Sequence, residues 1–150
     1  MSETIAEAPH GTMRRCCDAD CARRSGIFLT GFAYLVLVVI DGLMKVGGFR
    51  RLHRMVQRFP VPRRTREEIT RAHRICGAVD RAASYYVKRA WCLQRSAAAV
   101  CLLRLAGYPA ELVIGARRTP FYAHAWAEIG RQVVNDEAAV QTYYGTLERC

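Results

Sequence analysis

A thiol, an imidazole and a carboxylate occur in that order at Cys92, His124 and Asp136. Cys92 stands where an irregular stretch runs into a helix-forming one. The first N–H groups of a helix have no partner inside it, and together with the helix dipole they favour negative charge. A cysteine placed there ionises more readily and becomes a usable nucleophile. Arg89 and Arg95 add positive charge on either side. His124 lies in Ala123-His124-Ala125-Trp126-Ala127-Glu128, where strand alternation puts His124, Trp126 and Glu128 on one face and the alanines on the other. Asp136 closes the next run, Val133-Val134-Asn135-Asp136. Taken singly, each has a plain reading: an inert buried thiol, a structural histidine, a turn aspartate. In this order they fit cysteine-dependent acyl transfer. The histidine takes the thiol proton and later protonates a leaving amine, and the aspartate fixes the imidazole tautomer. Backbone amides at Cys92 supply part of an oxyanion hole. Tyr85, Tyr86 and the loop ahead of Cys92 are candidates for its second donor. The chemistry demands that sulfur, imidazole and carboxylate converge.

The elements that must hold these groups follow from periodicity. Residues 26–59 read as helical. The uncharged run Ile27 to Ile40 is expected as a buried core helix, with membrane contact as the alternative, since it falls short of the roughly 20 residues of a span. Gly47-Gly48 breaks or kinks it. Beyond that, Phe49, Leu52, Val56 and Phe59 form an apolar stripe, and Arg50, Arg51, Arg54 and Arg58 give a basic face. Pro60 and Pro62 end the element. Thr65-Arg66-Glu67-Glu68 fits a capping box. Helical period from Ile69 through Ala72, Ile75, Val79, Ala82 and Tyr86 predicts a helix to residue 90. Another starts near Cys92, gains propensity from Ala97-Ala98-Ala99, and stops at Gly107-Tyr108-Pro109. The period then changes to two, predicting strands at 111–117, 121–129 and 132–136. The fold class is α+β: N-terminal helices followed by a small antiparallel sheet. One condition is geometric. If Gly130-Arg131 forms a plain two-residue hairpin, Ile129 pairs with Gln132 and Asp136 falls opposite Ala125, on the wrong face for His124. A triad then requires a three-residue connection or a β-bulge between Ile129 and Asp136.

The chain's 150 residues suffice for one domain with a real core. The reading divides it into a flexible basic tail (1–25), a helical region (26–62) and a catalytic core (63–150). A net charge of +10 favours anionic partners, unless the arginines only solvate helix faces. No zinc-finger pattern or RNA-binding aromatic signature is present, so nucleic acid is not an expected partner. Seven cysteines, irregularly spaced, do not make a secreted disulfide scaffold. Cys16, Cys17 and Cys21 lack CxxC spacing and a fourth ligand, so no metal is expected there, and no cofactor elsewhere. Acid stands where an export signal carries base, which makes the reducing cytoplasm the default, with membrane association through 27–40 as the variant.

Four segments carry a resemblance. They are Trp91-Cys92-Leu93-Gln94-Arg95-Ser96, Leu102 through Gly107-Tyr108-Pro109 to Gly115, Phe121 through His124-Ala125-Trp126-Ala127-Glu128, and Val133-Val134-Asn135-Asp136. In order and spacing this pattern, from about residue 85 to residue 150, resembles the lasso-peptide leader peptidases. These have the transglutaminase-like (papain-like) cysteine protease core. The apolar helix followed by an Arg-rich one is similar to that family more loosely. The resemblance implies removal of the leader from a ribosomally made precursor peptide, so that an ATP-dependent cyclase can use the freed amine. It implies the stand-alone form of the peptidase, with no room for a fused leader-recognition domain. A small, separately encoded leader-recognition protein is then a partner, the cyclase a further one, and a leader with Thr at its penultimate position the expected substrate. It makes Cys92 the nucleophile, His124 the general base and acid, and Asp136 the orienting carboxylate. Arg95, Ser96, Trp126 and Glu128 stand in the same motifs as supporting or substrate-binding residues. Two other readings stay open. One is an acyltransferase or amidase of the same superfamily, because a triad fixes acyl transfer and not the acceptor. The other is a non-enzymatic basic protein that binds a membrane surface or nucleic acid. The basic face at 50–58 would serve an acidic partner or peptide.

Overall fold

The structure, a computed structural model, describes residues 26–62, 69–86 and 92–150. The tail at 1–25, the capping box at 65–68, Arg89 and Trp91 lie outside the described residues.

Helix α1 (Ile27–Arg58) breaks at Gly48, whose φ of 59° and ψ of −166° are non-helical. Glycine adopts such a conformation without steric cost, which is why the Gly47-Gly48 pair marks the kink. Ala33, Leu37 and Ile40 before the break, and Leu52 and Val56 after it, are buried. Phe28, Phe32, Leu35 and Val39 remain exposed. The expectation of a buried core helix over 27–40 is corrected accordingly: the run is apolar all round, and only one side is covered. The end of α1 is tied down from elsewhere. Arg104 is buried and donates to the carbonyls of Val56 (2.7 Å), Phe59 (3.2 Å) and Ala110 (2.7 Å). It thus satisfies carbonyls that a helix end leaves open, with no carboxylate among the described residues hydrogen-bonded to it.

Helix α2 (Ile69–Ser84) buries Ala72, Ile75, Cys76, Val79 and Ala82 along one face. It stops at Ser84 rather than near residue 90. The Ser84 hydroxyl bonds back to the Asp80 carbonyl at 3.0 Å, and Tyr86 leaves the helical path to reach Asp41 of α1. Helix α3 (Cys92–Leu105) is the centre of the molecule, buried continuously from Ser96 to Arg104. It ends where the sequence says. Gly107 has φ of 92°, Tyr108 N–H donates to the Leu103 carbonyl and Gly107 N–H to that of Arg104. That pair of bonds is a Schellman termination.

Four strands follow: β1 (Ala110–Arg117), β2 (Tyr122–Ile129), β3 (Gln132–Val133) and, after the short helix α4 (Val140–Tyr143), β4 (Gly145–Arg149). They form one antiparallel sheet in the order β3-β2-β1-β4. Two expectations change. β3 is much shorter than the 132–136 read from the sequence. β4 was not expected at all: it is an edge strand, mostly exposed, with Leu147 as its one large apolar residue. One face of the sheet, with Ala110, Leu112, Ala125, Ala127 and Ile129, joins the helices in the main core. The alanines let α3 approach closely. The other face carries Val113, Trp126, Val133, Val140 and Tyr144 as a smaller cluster.

Candidate active site

His124 and Asp136 meet. The ring Nε2 and the Asp136 Oδ2 lie 2.6 Å apart, both side chains partly shielded. Asp136 also accepts from the Glu137 N–H through Oδ1 at 2.8 Å, which fixes the carboxylate's orientation. The route to this contact is not the one anticipated. Gly130 (φ 55°) and Arg131 (φ 69°) make a plain two-residue hairpin with Ile129 opposite Gln132 and Glu128 opposite Val133. Two consecutive left-handed residues are what the tight primed turn needs. Neither a three-residue connection nor a bulge in β3 is present. Instead the ladder is abandoned. Val134 N–H still donates to the Ala127 carbonyl at 3.0 Å, but the return bond is made by a side chain: Ala127 N–H donates to Asn135 Oδ1 at 2.7 Å. With the Asn135 amide in the place of a backbone carbonyl, the chain is released from strand alternation and Asp136 reaches His124.

Asn135 faces a second way. Its Nδ2 donates to Ser96 Oγ at 2.9 Å, and Ser96 Oγ donates to the Ala125 carbonyl at 2.8 Å. Ser96 is fully buried. One short chain of bonds therefore ties the helix that starts at Cys92 to the strand of His124 and to the segment of Asp136. Cys92 is the first residue of α3, one turn before Ser96 on the same face, half-buried and unoxidised. Among the described residues its thiol makes no hydrogen bond to the His124 ring, whose Nδ1 also has no partner. The structure thus joins the imidazole to the carboxylate, and links the thiol's helix to both through Ser96.

Trp126 and Glu128 build the wall behind His124. Trp126 is fully buried, its ring 6.2 Å from that of His124, and the Tyr144 ring completes the set at 5.2 Å from His124. Gly115, paired with His124 across the sheet, leaves space for this: a Cβ there would stand 2.7 Å from the Trp126 ring. Glu128, also fully buried, accepts from Trp126 Nε1 (2.6 Å), Gln141 Nε2 (2.9 Å) and Arg149 Nη1 (2.5 Å). Burial pushes its carboxyl pKa up, but these donors and the Arg149 charge outweigh burial, and the net shift is downward. The carboxylate is an anchor for the aromatic wall.

A family model of the transglutaminase-like superfamily matches residues 34–149, most of the chain. The chain belongs to the transglutaminase-like superfamily. It is also similar to the Microcin J25-processing protein McjB of Escherichia coli, 49% identical over 45 residues, which is 30% of this chain. The matched stretch covers 22% of the length of that relative. No solved structure matches the chain significantly.

Other residues of this superfamily member read from the sequence fall into place differently. Arg95 was expected to lend charge to Cys92. It is instead hydrogen-bonded to Asp80 and holds α3 to α2. Tyr86, a candidate oxyanion donor, gives its hydroxyl to Asp41 Oδ2 at 3.2 Å, and burial and Asp41 raise its pKa. Tyr85 is largely exposed, and the loop before Cys92 lies outside the described residues. Among the described residues no group of three His, Cys, Asp or Glu side chains could hold a metal. Reasoning from sequence missed the roles of Asn135, Gln141, Tyr144 and Arg149. Asn135 stood inside a quoted motif, while the other three sit in the C-terminal segment, whose strand has no apolar alternation.

Proposed function

We propose that this superfamily member is a cysteine peptidase that removes the leader from a ribosomally made lasso-peptide precursor. The observation that carries the reading is the His124–Asp136 pair, bound through Asn135 and Ser96 to the helix that opens with Cys92. The stretch shared with a microcin-processing protein supports the choice of substrate class. In this mechanism Asp136 accepts from Nε2–H, so the neutral ring keeps its lone pair on Nδ1. That nitrogen takes the Cys92 proton when substrate draws thiol and ring together, since such contacts tighten in the substrate complex. The thiolate attacks the scissile carbonyl, the imidazolium protonates the departing amine, and the thioester left on Cys92 is hydrolysed by water activated at the same nitrogen. N–H groups at the start of α3 receive the oxyanion. The released amine is the new N-terminus of the core peptide, the group a separate ATP-dependent cyclase consumes. A small leader-recognition protein presents the substrate.

The test is cleavage of a leader–core precursor in the presence of a leader-binding partner, followed by mass spectrometry. Hydrolysis at one bond, lost in Cys92→Ala and kept in Cys101→Ala, is the expected result. Unchanged cleavage by Cys92→Ala overturns the reading. Transfer of the leader acyl group to an added amine, with no hydrolysis, would instead assign an acyltransferase.

A further inference from the structure

A second unusual surface lies on α1, outside the residues just described. Phe28, Phe32, Leu35, Val39 and Val46 are all at least half exposed, Phe28 at 93%. Their spacing of four, three, four and seven residues sets them on one line down the helix, opposite the buried Ala33, Leu37 and Ile40. The line is about 27 Å long at the helical rise. No charged side chain occurs from Ile27 to Ile40. The first acid, Asp41, is turned inward to Tyr86 and Gln94 and paired with Lys45. By length and composition α1 is apolar enough to cross a membrane, yet only 17% of its most apolar stretch is buried. A core helix of a soluble domain hides its apolar faces, and a surface helix makes its outer face polar. This one does neither.

At the kink the character reverses. A pocket of about 490 Å³ lies in the elbow, lined by Leu43, Arg51, Arg54, Arg58 and the apolar Met55 and Phe59, with no acid among the described lining residues. Leu43 stands about 60° round the helix from the apolar line, so pocket and line open to neighbouring sides.

We propose that α1 seats this protein on an anionic lipid surface. The line from Phe28 to Val46 lies in the boundary between headgroups and acyl chains, and the pocket of Arg51, Arg54 and Arg58 receives lipid phosphates. The opposite side of α1 is packed on α2 and α3, so the helix lies along the surface and does not cross it. Charge selects lipid over a protein surface here. A row of guanidinium groups beside bare aliphatic and aromatic side chains, with no acid among the pocket's described residues, matches the stacked phosphate and hydrocarbon layers of an anionic bilayer.

The test is flotation of the full chain with vesicles of phosphatidylcholine alone or with added phosphatidylglycerol, which separates bound protein from aggregate. The protein is expected to float with the anionic vesicles, less at high salt, and only weakly with the neutral ones. Arg51→Gln/Arg54→Gln/Arg58→Gln lowers the anionic-vesicle affinity on the order of 100-fold. Phe28→Ser/Phe32→Ser/Leu35→Ser abolishes flotation on both, with melting unchanged because these side chains are exposed. Protein that stays at the bottom with anionic vesicles overturns the proposal. So does equal binding to both vesicle types. A dimer in vesicle-free solution that the serine variant dissociates would assign the surface to a second copy of the chain.

Discussion

Asn135→Ala is the most informative single change, because Asn135 is where the three candidate catalytic elements are joined. The substitution removes two hydrogen bonds. Ala127 N–H, fully buried, loses its acceptor at 2.7 Å, and Ser96 Oγ loses a donor at 2.9 Å. A buried donor left without a partner costs about 1–3 kcal/mol, and a lost side-chain bond whose partner keeps another contact about 1 kcal/mol, giving roughly 2–4 kcal/mol in all. Asn135 is itself half-buried, so water can reach part of the gap, which favours the lower half of that range. For a chain of this size the melting temperature should fall by roughly 5–15 °C. The effect on turnover should exceed that on stability. At a temperature where the variant is folded, cleavage should slow by about 10–100-fold with KM little changed, since a small displacement of reacting groups acts on the chemical step. The decisive measurement is a cycle with Ser96→Ala. If the two residues form one brace, the double variant loses less than the sum of the singles, by about 0.5–3 kcal/mol. A strictly additive double variant, or Asn135→Ala melting with the parent protein, refutes the brace.

Four other outcomes are expected. Asp136→Asn should keep the fold and lower kcat by on the order of 10⁴, through loss of the imidazole tautomer, while Cys92→Ala and His124→Ala remove turnover, all read by precursor cleavage beside a circular-dichroism melt. Glu128 contributes stability that is complete above the ordinary carboxyl value of 4.5 and is lost as pH falls through its lower folded value. Glu128→Gln should therefore cost about 2 kcal/mol at neutral pH, by removing the charge that Arg149 pairs with and leaving it the longer Glu111 contact at 3.4 Å, and flatten the acid limb of a stability–pH curve. Gly115→Ala should destabilise by about 1–3 kcal/mol by driving a methyl into the Trp126 ring, and slow cleavage through the displaced wall beside His124, as tested by melting and turnover together. Among Cys76, Cys92, Cys101 and Cys150, alkylation at neutral pH with peptide mapping should mark Cys92 first. Cys76 and Cys101 are buried, burial raises the Cys101 thiol to about 11, and it raises Cys150 as well.

What the sequence made legible was whatever rests on local chemistry. The stop at Gly107, the kink at Gly48, the strand holding His124 and the helix opening at Cys92 each follow from one residue's backbone preference or from a short period. The misses share a different cause. β4 exists because β1 has an edge to pair with, and a mostly exposed edge strand needs no apolar alternation of its own. The stretch 27–40 read as core because hydropathy counts side chains without asking which way they face. Arg95 was placed by its distance along the chain from Cys92, and its partner turned out to be Asp80 on another helix.

The position of Asp136 has a different physical cause. Pairing carried forward from the turn at Gly130-Arg131 to residue 136 puts Asp136 on the wrong face of the sheet, yet it meets His124. The turn is as assumed, and the pairs Ile129–Gln132 and Glu128–Val133 are as assumed. Alternation binds a chain only while its backbone groups supply the ladder's bonds, and at Ala127 the acceptor is an asparagine side chain. A side-chain amide offers the same carbonyl chemistry as the backbone while leaving its own backbone free to turn, the property that makes Asn a residue of turns and caps. That one exchange ends β3, swings Asp136 under His124 and leaves the other end of the same amide to bind Ser96. The asparagine before the carboxylate is therefore part of how this sheet forms a His–Asp pair and ties it to α3 through Ser96. Alanine at 135 takes away both bonds at once, leaving the Ala127 N–H without its acceptor and Asp136 without the turn that carries it to His124.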